Sequence, residues 1–491
     1  MKPTLPTILL LSALSLTAGA QEKHELRLTL SEVIRMAQEQ SPSAVSARLS
    51  RESAELSYRN YKANYLPSVT LSSNPSYNRS INKILQPDGS YKYLEQNSLS
   101  TDLSLSIQQS IALTGGTFSI TSSLDRSDFF REGQDKETSF STRPVYIGYS
   151  QNLFGVNSLK WDRRIEPIAY REACKQYNEA MELVASSACS YFFNLATAQV
   201  NAEIAAFNYA SADTLYRFAQ GRYAIGTITE NEMLQLEIRK LSAENDRIEA
   251  QFSVEDCMQS LRSFLALQDD VSIRVELDDS VPHFMVPVDE ALAMAYENSP
   301  DPEYFKRARL QSDRSVANAK ANAGLRASIY LQFGLTQTGP DVQTAYRDPI
   351  NSQMASISLS LPILDWGRGR GQVKMARSSR ELTYLNIDRS ERDFEENVRK
   401  LVRQFNQQGA QMNILAKTDI TAERRFEVAR RLYLMGKSTI LDLNSATSEK
   451  DSARRSRISA LRNYWSLYYT LRSLTGYDFE KGKDIEWEYE K

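Results

Sequence analysis

Two apolar periods divide this chain. Over residues 181–223, Met181, Val184, Ala188, Tyr191, Leu195, Ala198, Ala202, Ala205, Tyr209, Ala212, Tyr216, Ala219 and Tyr223 follow one another in alternating steps of three and four. Such a seam underwinds a helix into a left-handed coiled coil, because its contact period falls short of the helical repeat. Val398, Val402, Phe405, Gly409, Met412 and Ala416 repeat the pattern later in the chain. A helix from Arg164 to Tyr223 would run ~90 Å before turning back, too far for a compact globule. Elsewhere the period is two. Ile329, Leu331, Phe333 and Leu335 alternate with Tyr330, Gln332, Gly334 and Thr336, and Ile357, Leu359 and Leu361 with Ser356, Ser358 and Ser360. Leu103, Leu105 and Ile107 alternate in the same way with Ser104, Ser106 and Gln108, and Val145, Ile147 and Tyr149 follow. One apolar face and one Ser/Thr/Gln face suit a strand between lipid and a watery lumen. A half-buried strand of a soluble sandwich shows the same alternation; the long helical seams favour the first reading.

The chain also matches itself in two registers. Leu28 to Glu32, Met36-Ala37, Ser41-Pro42 and Lys62-Ala63-Asn64 recur 258 residues on, as Val286 to Glu290, Met294-Ala295, Ser299-Pro300 and Lys320-Ala321-Asn322. Tyr223, Gly226 and Leu261-Arg262-Ser263 recur 210 residues on, as Tyr433, Gly436 and Leu471-Arg472-Ser473. The two offsets differ by 48 residues, which places an insertion in the first half between Asn64 and Ser150. An internal two-fold repeat decides the architecture before any local reading does. The first repeat is expected over 21–267, with a helix over 29–64 (Ser31 as its candidate N-cap), strands over about 66–152 and a helical hairpin over about 160–267. A linker over 268–287 leads to the second repeat at 288–476: helix 289–323, strands over about 327–363, hairpin over about 368–475, then a tail over 477–491.

Composition narrows the chemistry. The 59 Lys and Arg against 61 Asp and Glu leave a net charge of −2, with no electrostatic case for nucleic acid. Two histidines, His24 and His283, give His-based catalysis or metal binding almost nothing to work with. No GxxxxGK[ST], HExxH or GxSxG occurs, and Gly367-Arg368-Gly369-Arg370-Gly371 lacks the spacing of a dinucleotide loop. No enzyme, cofactor or metal site is expected. Cys174, Cys189 and Cys257 form no ligand spacing and read as small apolar residues, with a Cys189–Cys257 bond left open. Met1 to Ala20 reads as a cleaved export signal: Lys2, an apolar run through Leu16, then Ala18-Gly19-Ala20. No later segment is apolar for about 18 residues, so membrane contact falls to strands or to partners.

Export, duplication, and helix, strands and a long helical hairpin in each half: the chain resembles the TolC-like outer membrane efflux protein family. The likeness rests on Leu30 to Ala37 with Ser41-Pro42, on Leu359-Ser360-Leu361-Pro362-Ile363-Leu364-Asp365-Trp366-Gly367-Arg368-Gly369, and on Tyr433 to Leu443. It implies a mixed α/β membrane protein: a transmembrane antiparallel β-barrel shared by a homotrimer and continued by a long periplasmic coiled-coil barrel. The expectation is four shared strands per chain in a twelve-stranded barrel, plus an insertion whose Leu99–Ile107 and Phe118–Leu124 either join the barrel, giving six strands per chain, or extend outside it. Ile329, Leu331, Phe333, Leu335, Ile357 and Leu359 are the expected lipid-facing positions.

The hairpin tips carry the candidate site. Gly226 and Gly436 are expected to end helices in a left-handed conformation, and Thr229-x-x-Glu232 and Thr439-x-x-Asp442 to form capping boxes. The resemblance adds a periplasmic gate ring of Glu232 and Asp442, its carboxyl pKa values raised by mutual repulsion, with Tyr223, Gly226, Thr229, Tyr433, Gly436 and Thr439 at the adaptor contact. Implied partners are a periplasmic membrane-fusion adaptor, an inner-membrane transporter of RND, ABC or MFS type, and outer membrane lipid. The competing readings are a periplasmic structural or adaptor coiled coil without a barrel, and a plain diffusion porin, against which the heptads argue.

Overall fold

The computed structural model describes residues 25–131, 135–268, 271–278, 281–282, 284–435 and 437–487. The expected signal at 1–20 lies outside them. In chain order the elements are β1 (Glu25–Leu28), α1 (Leu30–Gln40), α2 (Pro42–Ala63), β2 (Ser68–Ser73), β3 (Ser76–Leu85), β4 (Tyr91–Ile111), β5 (Gly116–Arg131) and β6 (Glu137–Asn152). Then come α3 (Ser158–Ala224), α4 (Glu230–Phe264), β7 (Ser272–Val275), α5 (Val288–Asn298), α6 (Asp301–Ala323), β8 (Arg326–Gly339), α7 (Val342–Tyr346) and β9 (Ile350–Ser360). The last are α8 (Arg368–Leu434), α9 (Ile440–Thr475), β10 (Tyr477–Asp478) and β11 (Lys483–Asp484). No helix among the described residues is long and apolar enough to cross a membrane.

The helix expected over 29–64 is two helices. Pro42 drives Ser41 out of the helical region, to φ −63° and ψ 147°, so α1 stops there and α2 starts afresh. Ser299 before Pro300 adopts φ −69° and ψ 148° and divides α5 from α6 for the same reason. The N-cap of α1 is Thr29, not Ser31. Thr29 N donates to Glu32 Oε2 at 2.8 Å while Glu32 N donates to Thr29 Oγ1 at 3.4 Å. Ser31 has Ile34 three residues on, which has no carboxylate to return the bond.

The chain divides into two compact units. One comprises Met1–Val45, Leu183–His283 and Gln407–Tyr469. Its core is small and aromatic side chains of the long helices: Ala188, Phe192, Phe193, Leu195, Ala196 and Leu461 are buried, as are the seam residues Val184, Ala198, Ala205, Ala212 and Ala219. The span expected to be linker contributes β7, which pairs in parallel with β1 from Glu25↔Ser272 to Leu28↔Val275. Gln199 locks that pair to α3, donating to Ile273 O at 3.1 Å and accepting from Val275 N at 3.2 Å. Cys174, Cys189 and Cys257 are free thiols, so no Cys189–Cys257 bond forms. Burial pushes the Cys189 thiol up to about 12.

The other unit comprises Ser46–Glu182, Phe284–Asn406 and Thr470–Lys491 and holds the large sheet. Its strand order is β2-β4-β5-β6-β8-β9, every neighbouring pair antiparallel. β3 pairs β4 beyond β2, and Ser73↔Leu103 followed by Ser76↔Ser100 shows that β2 and β3 form one edge in a single register. Pro75 interrupts that edge, where a missing N–H is tolerated. The insertion is therefore not an appendage. Its hairpin turns at Thr114-Gly115-Gly116 and puts β4 and β5 in line between β2 and β6, six strands across, the larger of the two counts the insertion left open. The physical reason is that Leu105 and Ile107 on β4 and Phe118 and Ile120 on β5 continue the apolar face of Leu71 and Val69 on β2 and of Tyr149 and Ile147 on β6, up to a register shift between Thr121 and Ser123. In this unit Glu182, 1% exposed, accepts from Arg472 Nε at 2.8 Å and from the Trp487 indole at 3.2 Å, which ties the C-terminal segment to α3.

Candidate functional site

The two hairpin turns share one backbone bond at the end of the outgoing helix. At the end of α3, Gly226 takes φ 75°, Gly226 N donates to Tyr223 O and Thr227 N to Arg222 O, each at 2.9 Å. That pair of bonds satisfies the last carbonyls of the helix. At the end of α8 the equivalent bond, Lys437 N to Leu432 O, is 2.9 Å; Gly436 lies outside the described residues.

Each return helix starts on a reciprocal cap. Thr229 donates to Glu232 Oε2 through N at 2.9 Å and Oγ1 at 3.1 Å, and Glu232 N donates back to Thr229 Oγ1 at 3.3 Å. Thr439 donates to Asp442 Oδ2 through N at 3.2 Å and Oγ1 at 2.6 Å, Ser438 Oγ adds a third bond at 3.1 Å, and Asp442 N returns one at 3.1 Å. The caps change the electrostatics. Backbone and hydroxyl donors of Thr229 hold the Glu232 carboxyl below its ordinary value, and those of Thr439 and Ser438 do the same for Asp442. Within one chain these acids are thus biased toward ionisation, opposite to the direction expected from ring repulsion. Their contribution to the caps is present above the ordinary carboxylate range and is lost as pH falls through the lowered values. Amide exchange at Glu232 and Asp442, corrected for its intrinsic pH dependence, should show protection retained at neutral pH and lost only in acid. Thr229→Ala or Thr439→Ala should cost ~1 kcal/mol of local stability, read as faster protease nicking at that tip alone.

Four helices meet just behind the turns. Leu215 of α3, Phe426 of α8 and Leu443 of α9 form a buried cluster, with Leu236 of α4, Tyr433 and Ile440 packed on it. Lys450 Nζ lies 4.2 Å from the Phe207 ring centroid and 4.3 Å from that of Phe426. Tyr433 is therefore a packing residue at its tip, beside the half-buried Arg239. Tyr223 is 42% exposed.

The second surface is the sheet. Cross-strand partners share a face, and Val69↔Ile107↔Ile120↔Ile147↔Phe333 forms one apolar row. Leu71↔Leu105, Leu331↔Ala355, Ile329↔Ile357 and Ala327↔Leu359 lie on the same side. On that side Leu331, Phe333, Ile357 and Leu359 are exposed, whereas Ile329 and Leu335 are half-buried between their neighbours. The opposite face carries Thr70, Ser106, Thr121, Ser119, Gln332, Ser356 and Ser358, with a Ser106–Thr121 hydroxyl bond of 3.1 Å and a Ser72–Ser104 bond of 3.3 Å. An exposed aliphatic face backed by a hydroxyl face is the arrangement that lipid on one side and water on the other select.

Two features escaped sequence reasoning. Asp419, 5% exposed, holds Arg457 at 2.9 Å and Arg454 at 3.3 Å inside the helical unit. The loop after β8 carries α7, pinned by a hydrogen bond from Thr142 Oγ1 to Ala345 O. Extending the three-and-four steps of α8 past Ala416 would have reached Asp419, Phe426 and Tyr433. For α7 the signal was Asp341, which caps the helix by accepting from Thr344 N at 2.7 Å. Among the described residues no group of His, Cys, Asp and Glu could hold a metal ion.

The model of the outer membrane efflux protein family matches residues 110–267 and 292–477, more than half of the chain. The alkaline protease secretion protein AprF of Pseudomonas aeruginosa is 22% identical over 366 residues, covering 73% of each protein. In fold, the Campylobacter jejuni CmeC outer membrane channel superposes with a TM-score of 0.65 at 16% identity, over 93% of this chain and 87% of that one. The open-state MtrE outer membrane channel of Neisseria gonorrhoeae gives 0.60 at 16% identity, over 93% and 91%. The chain belongs to the outer membrane efflux protein family, and it is an outer membrane exit duct.

Proposed function

We propose that the duct works as a homotrimer, serving a tripartite efflux pump or a type I secretion system. The observation that carries this reading is the two-faced sheet, exposed aliphatic on one side and hydroxyl-lined on the other, in a chain whose long helices turn back through capped tips. Three sheets joined side by side close a barrel with the aliphatic face in lipid and the hydroxyl face around water. The duct is passive: it has no cofactor and does no chemistry. An inner-membrane transporter of RND, ABC or MFS type supplies the energy, through a periplasmic adaptor packed on the tips around Tyr223, Gly226, Thr229, Tyr433, Gly436 and Thr439. Glu232 and Asp442 from three chains ring the periplasmic entrance. The likeness to a protein named for alkaline protease secretion supports the secretion arm; the family's description supports the efflux arm.

Fractionation of the producing cells tests this reading. The protein should sediment with outer membranes and run as an oligomer that collapses to monomer only on boiling in detergent. Recovery as a soluble periplasmic rod would overturn it in favour of a coiled coil without a barrel.

A further inference from the structure

We infer that three copies of this chain close an eighteen-stranded barrel, each copy giving six strands in line and joining its β9 to the β2 of the next. The inference rests on the homotrimeric duct proposed above. The strand order β2-β4-β5-β6-β8-β9 is antiparallel at every step, so strand directions alternate and β9 runs opposite to β2. Copies placed edge to edge therefore continue one antiparallel ladder with no reversal at the seam. Inserting a hairpin adds two strands and keeps this parity, which a single extra strand would have broken.

Both edges need such a partner. Among the described residues β2 pairs only with β4, and β9 only with β8. An edge left open in hydrocarbon leaves its backbone N–H and C=O groups without hydrogen bonds, and closure removes the edge altogether. The apolar face runs to both ends of the sheet, with Val69 66% and Leu71 67% exposed at one edge and Ile357 68% and Leu359 69% at the other. A second copy joined there continues the aliphatic band across the seam, whereas any polar partner would break it.

β4 and β5 belong to this wall. Their Ile107 and Ile120 sit in the apolar row that starts at Val69 on β2 and continues to Ile147 on β6, and Leu105 faces Leu71 on β2. Folded away from the barrel, the hairpin would give up two complete ladders, β2 with β4 and β5 with β6, and expose that band to water. Barrel diameter grows roughly in proportion to strand number, so six strands per chain in place of four widen the barrel about 1.5-fold and its cross-section about twofold. A wall of this size leaves an aqueous lumen that its own side chains do not fill.

The test is to image the full-length protein, extracted from outer membranes into lipid nanodiscs, by electron cryo-microscopy and to count strands around the barrel. Eighteen is the expected count. Twelve, with residues 91–131 outside the wall, would overturn the inference and leave the duct standing; no barrel at all would overturn both. A second measurement uses the full chain in cells. Thr117 faces Ser150 across β5 and β6, so Thr117→Cys with Ser150→Cys should give an intrachain disulfide on mild oxidation, absent from either single variant. Assembled oligomers that fail to form it would place β5 away from β6 and refute the six-strand wall.

Discussion

Leu331→Arg or Leu359→Arg should remove the heat-stable oligomer from outer membranes, while Gln332→Arg and Ser358→Arg leave it in place. The four positions are near neighbours on β8 and β9 and differ in the face they occupy. Leu331 is 44% and Leu359 69% exposed on the aliphatic side, in rows with Ala355 and Ala327. Gln332 and Ser358 point to the hydroxyl side, facing Met354 and Ser328. A guanidinium on the lipid face near the bilayer midplane costs roughly 2–4 kcal/mol, and nearer the interface much less, whereas in a water-filled lumen it keeps its hydration. The proposed trimer carries the substitution three times, so even the lower figure should deplete the assembled form. Equal yield from all four variants would mean that this register does not meet lipid.

The double change Glu232→Gln with Asp442→Asn should sharply weaken block of the channel by multivalent cations added on the periplasmic side of a planar bilayer. Both acids sit three residues after their cap threonine, in the same place in the two hairpins. Their caps bias them toward the charged form, so a ring built from them stays negative at neutral pH. In the proposed trimer six carboxylates would surround the entrance, and such a ring focuses a negative potential that concentrates cations. The amides keep an oxygen to accept the Thr229 and Thr439 hydrogen bonds, so the hairpins survive and the charge alone is removed. A block unchanged in the variant, with its oligomer intact, would leave the two acids as helix caps only.

Much of this was legible because it depends on local rules. The capping boxes need only a threonine and an acid three residues on, and the turn at Gly226 needs only a residue that tolerates positive φ. The faces of β8 and β9 follow from alternation alone. What escaped depends on pairing between distant segments. β1 and β7 are four residues each, too short for a period to show, and exist because each completes the other. The place of β4 and β5 in the sheet follows from which neighbours they meet, which alternation does not encode. Asp419 broke the apolar run of α8 and hid the seam's continuation to Phe426, because a buried carboxylate held by two arginines reads, in sequence, as a solvated charge. The Thr29 cap was missed for a different reason: Ser31 and Thr29 are both acceptable alone, and only Glu32 distinguishes them.

On the function proposed above, this sheet stands in the outer membrane with one face in lipid and the other around water. Single cysteines placed along β8 and β9, in a background with Cys174, Cys189 and Cys257 changed to serine, measure it directly when intact cells are treated with a membrane-impermeant maleimide. Gln332→Cys, Ser356→Cys and Ser358→Cys should label, and Leu331→Cys, Ile357→Cys and Leu359→Cys should not, an alternation of period two along each strand. Labelling of both sets alike, or of the aliphatic set alone, would contradict the claim.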